Sequence, residues 1–569
     1  MNVLKSGDWN KPLERIGYFC VLLVMAGFIW SAPYILTGDG SSHALNARII
    51  VDLLTGECDI AQEIFRINPH ILPNWTGHAF MVALIYGGLS ALVAEKIVFM
   101  LAFVLMAVGF RALVLAAKGE PMLSWPILPL ALNSVLTLGF YNYQLGVGIG
   151  CLALANYLTL RNKPNSPLFI FSLSLLLLAV WFSHIIAFLG CSLFILVNEL
   201  FLLRAAFRFH VEKISIAGYL RRNIGLAIAF LPALVLTINY LLTSFIRVEV
   251  DYTGMMPGKM SLLYIIALYD FISDFSQADI QHTGIMLVLG ASSLLFIGYY
   301  LVRRTAISRI AAVALVCTSI LWGMSFATQL SFKGGWLLDI RLRMLGWQFA
   351  FLALSLMVSR RQHASFFVYV SILLAFFNTS TLARSVDKTT ALREKLAPVM
   401  SSIGDGDLVY SLETPIEALP TIRGYESVRL YWMLDKKCTY DLNNYEAAYD
   451  YFPVRYKTDL VASTLYRPFS RLDDRSPYFI GAPKMDNISR REFEKLSGLK
   501  VTHVIQFGDV QNPPPAQSNS APAAQTYIKK HGAEFYNSVR RDVLDGFSLV
   551  KRVDPSGGQP ITVFKRKEN

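Results

Sequence analysis

The stretch Asn74-Trp-Thr-Gly-His-Ala-Phe-Met-Val-Ala-Leu-Ile-Tyr-Gly-Gly-Leu-Ser-Ala-Leu92 decides how this chain is laid out. It is apolar enough to be taken for a membrane span, yet it carries Gly77, Gly87, Gly88 and His78. Eleven further apolar runs flank it: Tyr18–Leu36, Lys96–Ala117, Trp125–Leu138, Tyr141–Leu160, Leu168–Phe182, Ile185–Leu203, Ile224–Phe245, Gly284–Val302, Ile310–Phe326, Met344–Val358 and Phe366–Ala383. If all twelve runs spanned, Arg161/Lys163 and the basic stretch from Arg204 to Arg222 would face outward, against the rule that cytoplasmic loops hold the Lys and Arg. If Asn74–Leu92 lies at the outer surface instead, Arg111/Lys118, Arg161/Lys163, Arg204–Arg222, Arg303/Arg304 and Arg360/Arg361 all fall inside. The sequence therefore predicts about eleven transmembrane helices, with the N-terminus inside and the C-terminus outside.

Composition agrees with a membrane chain. Of 569 residues, 54% are hydrophobic and 16% charged, against about 25% charged in soluble domains. Disordered and collagen-like classes are excluded, and six cysteines without a CxxC pair make no disulfide scaffold. The net charge of +12 reads as topogenic Lys and Arg meeting anionic lipid and phosphate, not nucleic acid.

Charge, Pro, Asn and Tyr rise after Arg384. This predicts a polytopic α-helical membrane domain over residues 1–385, with a long first outer loop (37–95), and an α/β soluble domain over 386–569 on the outer side. The first run follows Lys5, Lys11 and Arg15 and lacks a small-x-small cleavage site, so it reads as an uncleaved helix. Ser261–Ile272 suits an interfacial helix. In the tail, Lys388–Ser402, Arg490–Leu499 and Thr526–Arg541 read as helices, Asp407–Leu412 and Lys500–Phe507 as strands, and Phe547–Val553 with Ile561–Lys565 as a closing hairpin. Pro513–Ala524 reads as a low-complexity linker. Cys58 and Cys438 both fall outside, where a disulfide between them is allowed.

Candidate chemistry gathers on the outer face. Thr37-Gly-Asp39-Gly-Ser-Ser-His43 puts a carboxylate between glycines at the membrane surface, with a His one helical turn on. Such an Asp can deprotonate a hydroxyl or hold a cation, or simply N-cap the helix that follows. Phe140-Tyr141-Asn142-Tyr143-Gln144 reads first as an interfacial aromatic belt, and otherwise offers rings that stack on sugar faces and amides that bond hydroxyls. Ser183-His184 breaks a long apolar stretch. Lys333-Gly-Gly-Trp-Leu-Leu-Asp339-Ile-Arg341-Leu-Arg343 puts three cations where outer loops should be poor in them. Arg forks bind phosphate oxygens bidentately, and Asp339 could orient one. With no HExxH-like spacing, no metal site is expected.

An uncleaved first helix, the acidic Asp39 just outside it, the later His43, a long first loop with surface helices, about eleven spans and an outer C-terminal domain together resemble the GT-C superfamily of membrane glycosyltransferases. Protein O-mannosyltransferases and lipid A aminoarabinose transferases belong to it. Asn68-Pro-His70 to Pro73-Asn-Trp75 loosely resembles the family's His/Lys-Pro-Pro segment, without its Pro-Pro pair. The resemblance implies an enzyme of the bacterial inner membrane. It would move a sugar from a polyprenyl-phosphate donor to a glycan, lipid or protein acceptor of the cell envelope. Asp39 would be the base; Lys333, Arg341 and Arg343 would hold the donor phosphate; and His43, Tyr141, Asn142, Gln144, His184 and Asp339 would contact substrate. No cofactor is implied: no paired Asp-Asp or Asp-Glu follows the first helix, which weighs against metal-assisted transfer, though a divalent cation stays open. The competing readings are a lipid-linked glycan flippase, disfavoured by spans nearly free of central charge, and a non-catalytic subunit of envelope-polysaccharide assembly.

Overall fold

A computed structural model of the protein describes residues 10–33, 35, 37–208, 218–219, 221, 223–245, 280–303, 307–327, 331–332, 335–336, 338–358, 360–413, 430–442, 444, 446–448, 452–457, 490–507, 544–553 and 561–567. Lys333, Ser261–Ile272, Pro513–Ala524 and Thr526–Arg541 lie outside them. Among the described residues, eight helices are long and apolar enough to cross a membrane, as a multi-pass membrane protein requires. The chain divides into two compact units, one of residues 1–33, 98–242 and 257–384, the other of residues 34–97, 243–256 and 385–569.

In chain order the helices and strands begin with α1 (Asn10–Ser31), α2 (Gly40–Thr55), α3 (Asp59–Ile64), β1 (Phe65–Ile67), α4 (Thr76–Tyr86) and α5 (Ala91–Ala116). After several short turns come α6 (Tyr141–Leu160), α7 (Pro167–Ser183), α8 (Ile185–Arg208), α9 (Ile224–Tyr240), α10 (Ile280–Val302), α11 (Arg309–Ala327), α12 (Leu338–Met357) and α13 (Arg361–Met400). The tail adds β2 (Leu408–Glu413), β3 (Tyr440–Asp441), β4 (Val454–Tyr456), α14 (Arg490–Ser497), β5 (His503–Phe507), β6 (Phe547–Val553) and β7 (Ile561–Arg566).

Helix α4 is what the glycines foretell. It runs for 11 residues and stops at Gly87 and Gly88, the second with φ of +95°. Eleven residues rise about 16 Å, roughly half the hydrocarbon thickness.

The run Trp125–Leu138 is not the continuous helix that hydropathy predicts. It holds two short helices, Ile127–Ala131 and Ser134–Thr137, and follows a third, Pro121–Ser124, each at most five residues long. Pro126 and Pro129 lack the N–H a helix needs. The segment nevertheless travels back along α5. Ser124 accepts a bond from Arg111 at 2.9 Å, and Ala131 accepts one from Gln144, whose amide also meets Met106. The ring of Tyr141 then packs on Phe99 at 6.0 Å. Hence α5 and α6 run parallel, in register from Phe99/Tyr141 to Gly109/Gly148. Non-helical backbone at membrane depth survives only inside protein, and residues 123–133 are buried. Their carbonyls are satisfied by side chains. Asn378 donates to Pro129 at 2.7 Å, Asn133 to Leu130 at 2.9 Å and Gln144 to Ala131 at 3.1 Å.

The parallel pair packs tightly enough to exclude a methyl group. A Cβ on Gly148 would lie 2.7 Å from the Leu105 carbonyl carbon, and one on Gly109 would lie 2.4 Å from the Gly148 oxygen. Gly148→Val should therefore cost about 3 kcal/mol or more, seen as a lower melting temperature in detergent and poorer yield. An unchanged melt would show that the two helices can part without penalty.

Two basic residues expected only to set topology are also ion-paired within the membrane unit. Arg111 grips Glu14 of α1 through two bonds of 2.8 and 2.9 Å, and the Trp125 indole donates to the same carboxylate at 2.8 Å. Arg161 likewise grips Glu199, which also accepts from Tyr219 at 2.6 Å.

In the other unit, the first loop and the tail share one core. Strand β1 pairs antiparallel with β4, Phe65 opposite Tyr456 and Ile67 opposite Val454. A disulfide joins Cys58 to Cys438, and the Tyr440 hydroxyl donates to Asp52. A five-stranded mixed sheet of order β3-β2-β5-β7-β6 lies in the tail. Its parallel centre, β2 on β5, buries Val409, Val504 and Ile505, and β6 and β7 form the antiparallel hairpin foreseen in the sequence.

Candidate functional site

The predicted site residues fall into two groups, one in each unit. The first surrounds the start of α2. Asp39 is half-buried at the N-cap position but makes no side-chain capping bond. The Gly40 amide is taken instead by the Thr37 hydroxyl at 3.1 Å.

One turn on, His43 is buried with Nδ1 2.7 Å from a Glu446 oxygen. The other Glu446 oxygen lies 3.6 Å from Nε2 of His78, on α4. Both histidines and Glu446 are buried, and the two rings meet edge to face at 4.8 Å. Asn46 donates to Glu446, and Asn444 donates to Asn46 at 2.6 Å. Spacing explains part of the arrangement: His43 and Asn46 are three residues apart on one face of α2, while Glu446 comes from a turn in the tail.

The electrostatics follow from burial and proximity. Burial works against ionised Glu446, but the neighbouring His43 lowers its pKa to about 2. Burial likewise opposes a charged His43, yet Glu446 and more distantly Asp39 and Glu95 raise it to about 9. Burial, helped by the neighbouring His43, lowers His78. The ligand atoms of His43, His78 and Glu446 all lie within 4.8 Å of one another, close enough for these three residues to hold a metal ion.

The second group lies in the membrane unit. Helix α12 starts at Leu338, six residues before the predicted Met344, because Asp339-Ile-Arg-Leu-Arg343 is itself helical. Asp339, Arg341 and Arg343 therefore sit on its first turns, all buried, rather than in a preceding loop. The Arg341 guanidinium lies 4.2 Å over the Phe140 ring, and its carbonyl accepts from the Tyr143 hydroxyl at 2.6 Å. His184, the single extended residue between α7 and α8, stacks edge-on to Tyr143 at 5.3 Å. Its Nδ1 accepts the Ile186 amide at 3.1 Å, and its Nε2 faces Arg341 Nη1 at 3.3 Å.

The structure thus brings Phe140, Tyr143, His184 and Arg341 together. Tyr141 packs on Phe99, Asn142 is buried beside it, and Gln144 bonds Asn133 and the broken backbone at Ala131. Asp339 offers its carbonyl to Ser325 at 2.8 Å, and the carbonyl of Arg343 accepts from Trp322 at 3.3 Å. Sequence reasoning missed His78, Glu446 and Asn46 as partners of His43. His78, an ionisable side chain in an otherwise apolar stretch, was the available signal; Glu446 gave none.

No family model matches the chain, and no curated protein matches it. Among solved structures, the arabinofuranosyltransferase AftD from Mycobacteria, determined by single-particle cryo-EM, is similar over 98% of this chain and 40% of that one, with 11% sequence identity and a TM-score of 0.45. The chain therefore spans about two fifths of the length of that structure.

Proposed function

We propose that the protein is a membrane glycosyltransferase that moves a sugar from a polyprenyl-phosphate donor to a cell-envelope acceptor, on the outer face of a bacterial plasma membrane. The observation that carries this reading is the pairing of Arg341 with His184. Because His184 Nδ1 accepts the Ile186 amide, its proton resides on Nε2 in the neutral ring. Two N–H donors then face each other across 3.3 Å. A phosphate oxygen placed beside the two nitrogens can accept from both, with a charge-assisted bond from Arg341.

The chemistry is a displacement at the anomeric carbon. Asp39 takes the proton of the acceptor hydroxyl, whose oxygen bonds to the sugar as the bond from sugar to phosphate oxygen breaks. The departing phosphate keeps the electron pair. Arg341, Arg343 and Lys333 stabilise that charge. The Cys58–Cys438 disulfide supports an oxidising, outer location for the unit that carries Asp39.

Mass spectrometry of lipid carried through purification tests the donor. A polyprenyl phosphate, bare or sugar-linked, is expected. Failure to bind added polyprenyl phosphate overturns the reading, and binding without transfer to any envelope acceptor leaves an assembly subunit instead. Orientation is tested by thiol labelling. Ser401→Cys should react with an impermeant reagent in intact cells, and Ser166→Cys only after permeabilisation. Labelling of Ser166→Cys in intact cells would reverse the assignment of sides.

A further inference from the structure

We infer that His43, His78 and Glu446 form a binding site for a divalent transition-metal ion of the zinc class. The argument begins with hydrogen positions. His78 Nδ1 lies 3.3 Å from the carbonyl oxygen of Asn74. A carbonyl only accepts, so Nδ1 carries the ring proton and Nε2 presents a bare lone pair. That nitrogen lies 3.6 Å from a carboxylate oxygen of Glu446, with which it makes no hydrogen bond. Two buried acceptors facing each other repel unless a cation lies between them.

The donor set selects the cation. Two imidazole nitrogens and one carboxylate form a borderline-soft set that suits zinc and its neighbours. Calcium and magnesium prefer all-oxygen cages. In a tetrahedral zinc site the ligand atoms stand about 3.3 Å apart. The contacts here, 2.7 and 3.6 Å, bracket that value. The widest ligand-to-ligand distance is within 4.8 Å.

The surroundings are those of a supported metal site. The Asn74 carbonyl fixes the His78 tautomer, Asn46 orients Glu446, and Asn444 in turn orients Asn46. All three ligands are buried. Asp39 and Glu95 add negative potential at His43. Three protein ligands leave one position open, which solvent or a hydroxyl can take. The ion would tie the tail turn at 446–448 to α2 and α4, as the disulfide ties Cys438 to Cys58. The site is independent of sugar transfer, and a chain inert as a transferase would still bind metal.

The test uses the full chain purified in detergent without chelator, with metal content measured by plasma mass spectrometry. About one zinc-class ion per chain is expected. After chelation, added zinc should raise the melting temperature and magnesium or calcium should not. Cobalt should give the visible absorption of a tetrahedral site. Glu446→Gln and His78→Ala should each weaken zinc binding by at least a hundredfold, and Asn46→Ala by about ten- to a hundredfold. Metal-free protein that shows neither a zinc shift nor a cobalt spectrum overturns the inference. So does a preference for calcium or magnesium, or zinc binding unchanged in both ligand variants. If the variants do not fold, the zinc and cobalt titrations of the chelated wild type decide alone.

Discussion

Asp39→Asn should yield a folded, inserted protein that binds donor normally and transfers sugar about two to four orders of magnitude more slowly. Asparagine keeps the size and polarity of aspartate but cannot accept a proton. The structure makes this substitution discriminating. A capping Asp would lose about 1 kcal/mol if replaced by Ala and almost nothing if replaced by Asn. The Asp39 side chain makes no capping bond here. A large loss of turnover at unchanged thermal stability then reflects the missing proton acceptor. The measurement is turnover of a lipid-linked sugar at matched thermal stability. Near-normal turnover would remove Asp39 as the base, and most of the case for a transferase with it.

Much of the membrane unit can be read in the sequence because hydropathy reports directly on the bilayer. Short, glycine-stopped α4 follows from Gly77, Gly87 and Gly88, and the tail strands β2, β5, β6 and β7 follow from runs of β-formers. The signal fails where long-range contact outweighs local preference. Trp125–Leu138 is as apolar as its neighbours, and its breaks are tolerated only because Asn133, Gln144 and Asn378 reach its carbonyls. Only Gln144 was noticed in the sequence, as a sugar-binding candidate. Its structural employment becomes visible once α5 and α6 are seen to be parallel.

The site was legible one residue at a time and not as groups. His43 stands out beside Asp39, and His184 and Arg341 stand out as charges at span ends. What joins His43 to His78 and Glu446 is a fold in which the first loop and the tail share strands and a disulfide. No periodicity encodes a contact between residues so distant in the chain. The early start of α12 was missed for a related reason. Asp339, Arg341 and Arg343 look like a loop by hydropathy, yet burial among aromatic rings lets a charged segment begin a helix.

The same burial sets the size of the effect expected at the donor site. Arg341→Lys keeps the charge but loses the planar fork and its stacking on Phe140. A charge-assisted hydrogen bond contributes roughly 1.5–3 kcal/mol, so this variant should bind polyprenyl phosphate about tenfold more weakly or worse. Removing both cations, in Arg341→Ala with Arg343→Ala, removes two such contacts. The loss should then reach about a hundredfold or more. His184→Gln provides the control for the hydrogen-bond geometry. Its amide can still donate where Nε2–H does, so it should retain more affinity than His184→Ala. Affinity is read by displacement of a fluorescent polyprenyl phosphate from protein in detergent, with melting temperature recorded for each variant. Unchanged affinity in a stable double Arg variant would remove phosphate binding from α12. If only the lysine variant held its affinity, charge alone would suffice there, and the fork would have no part in recognition.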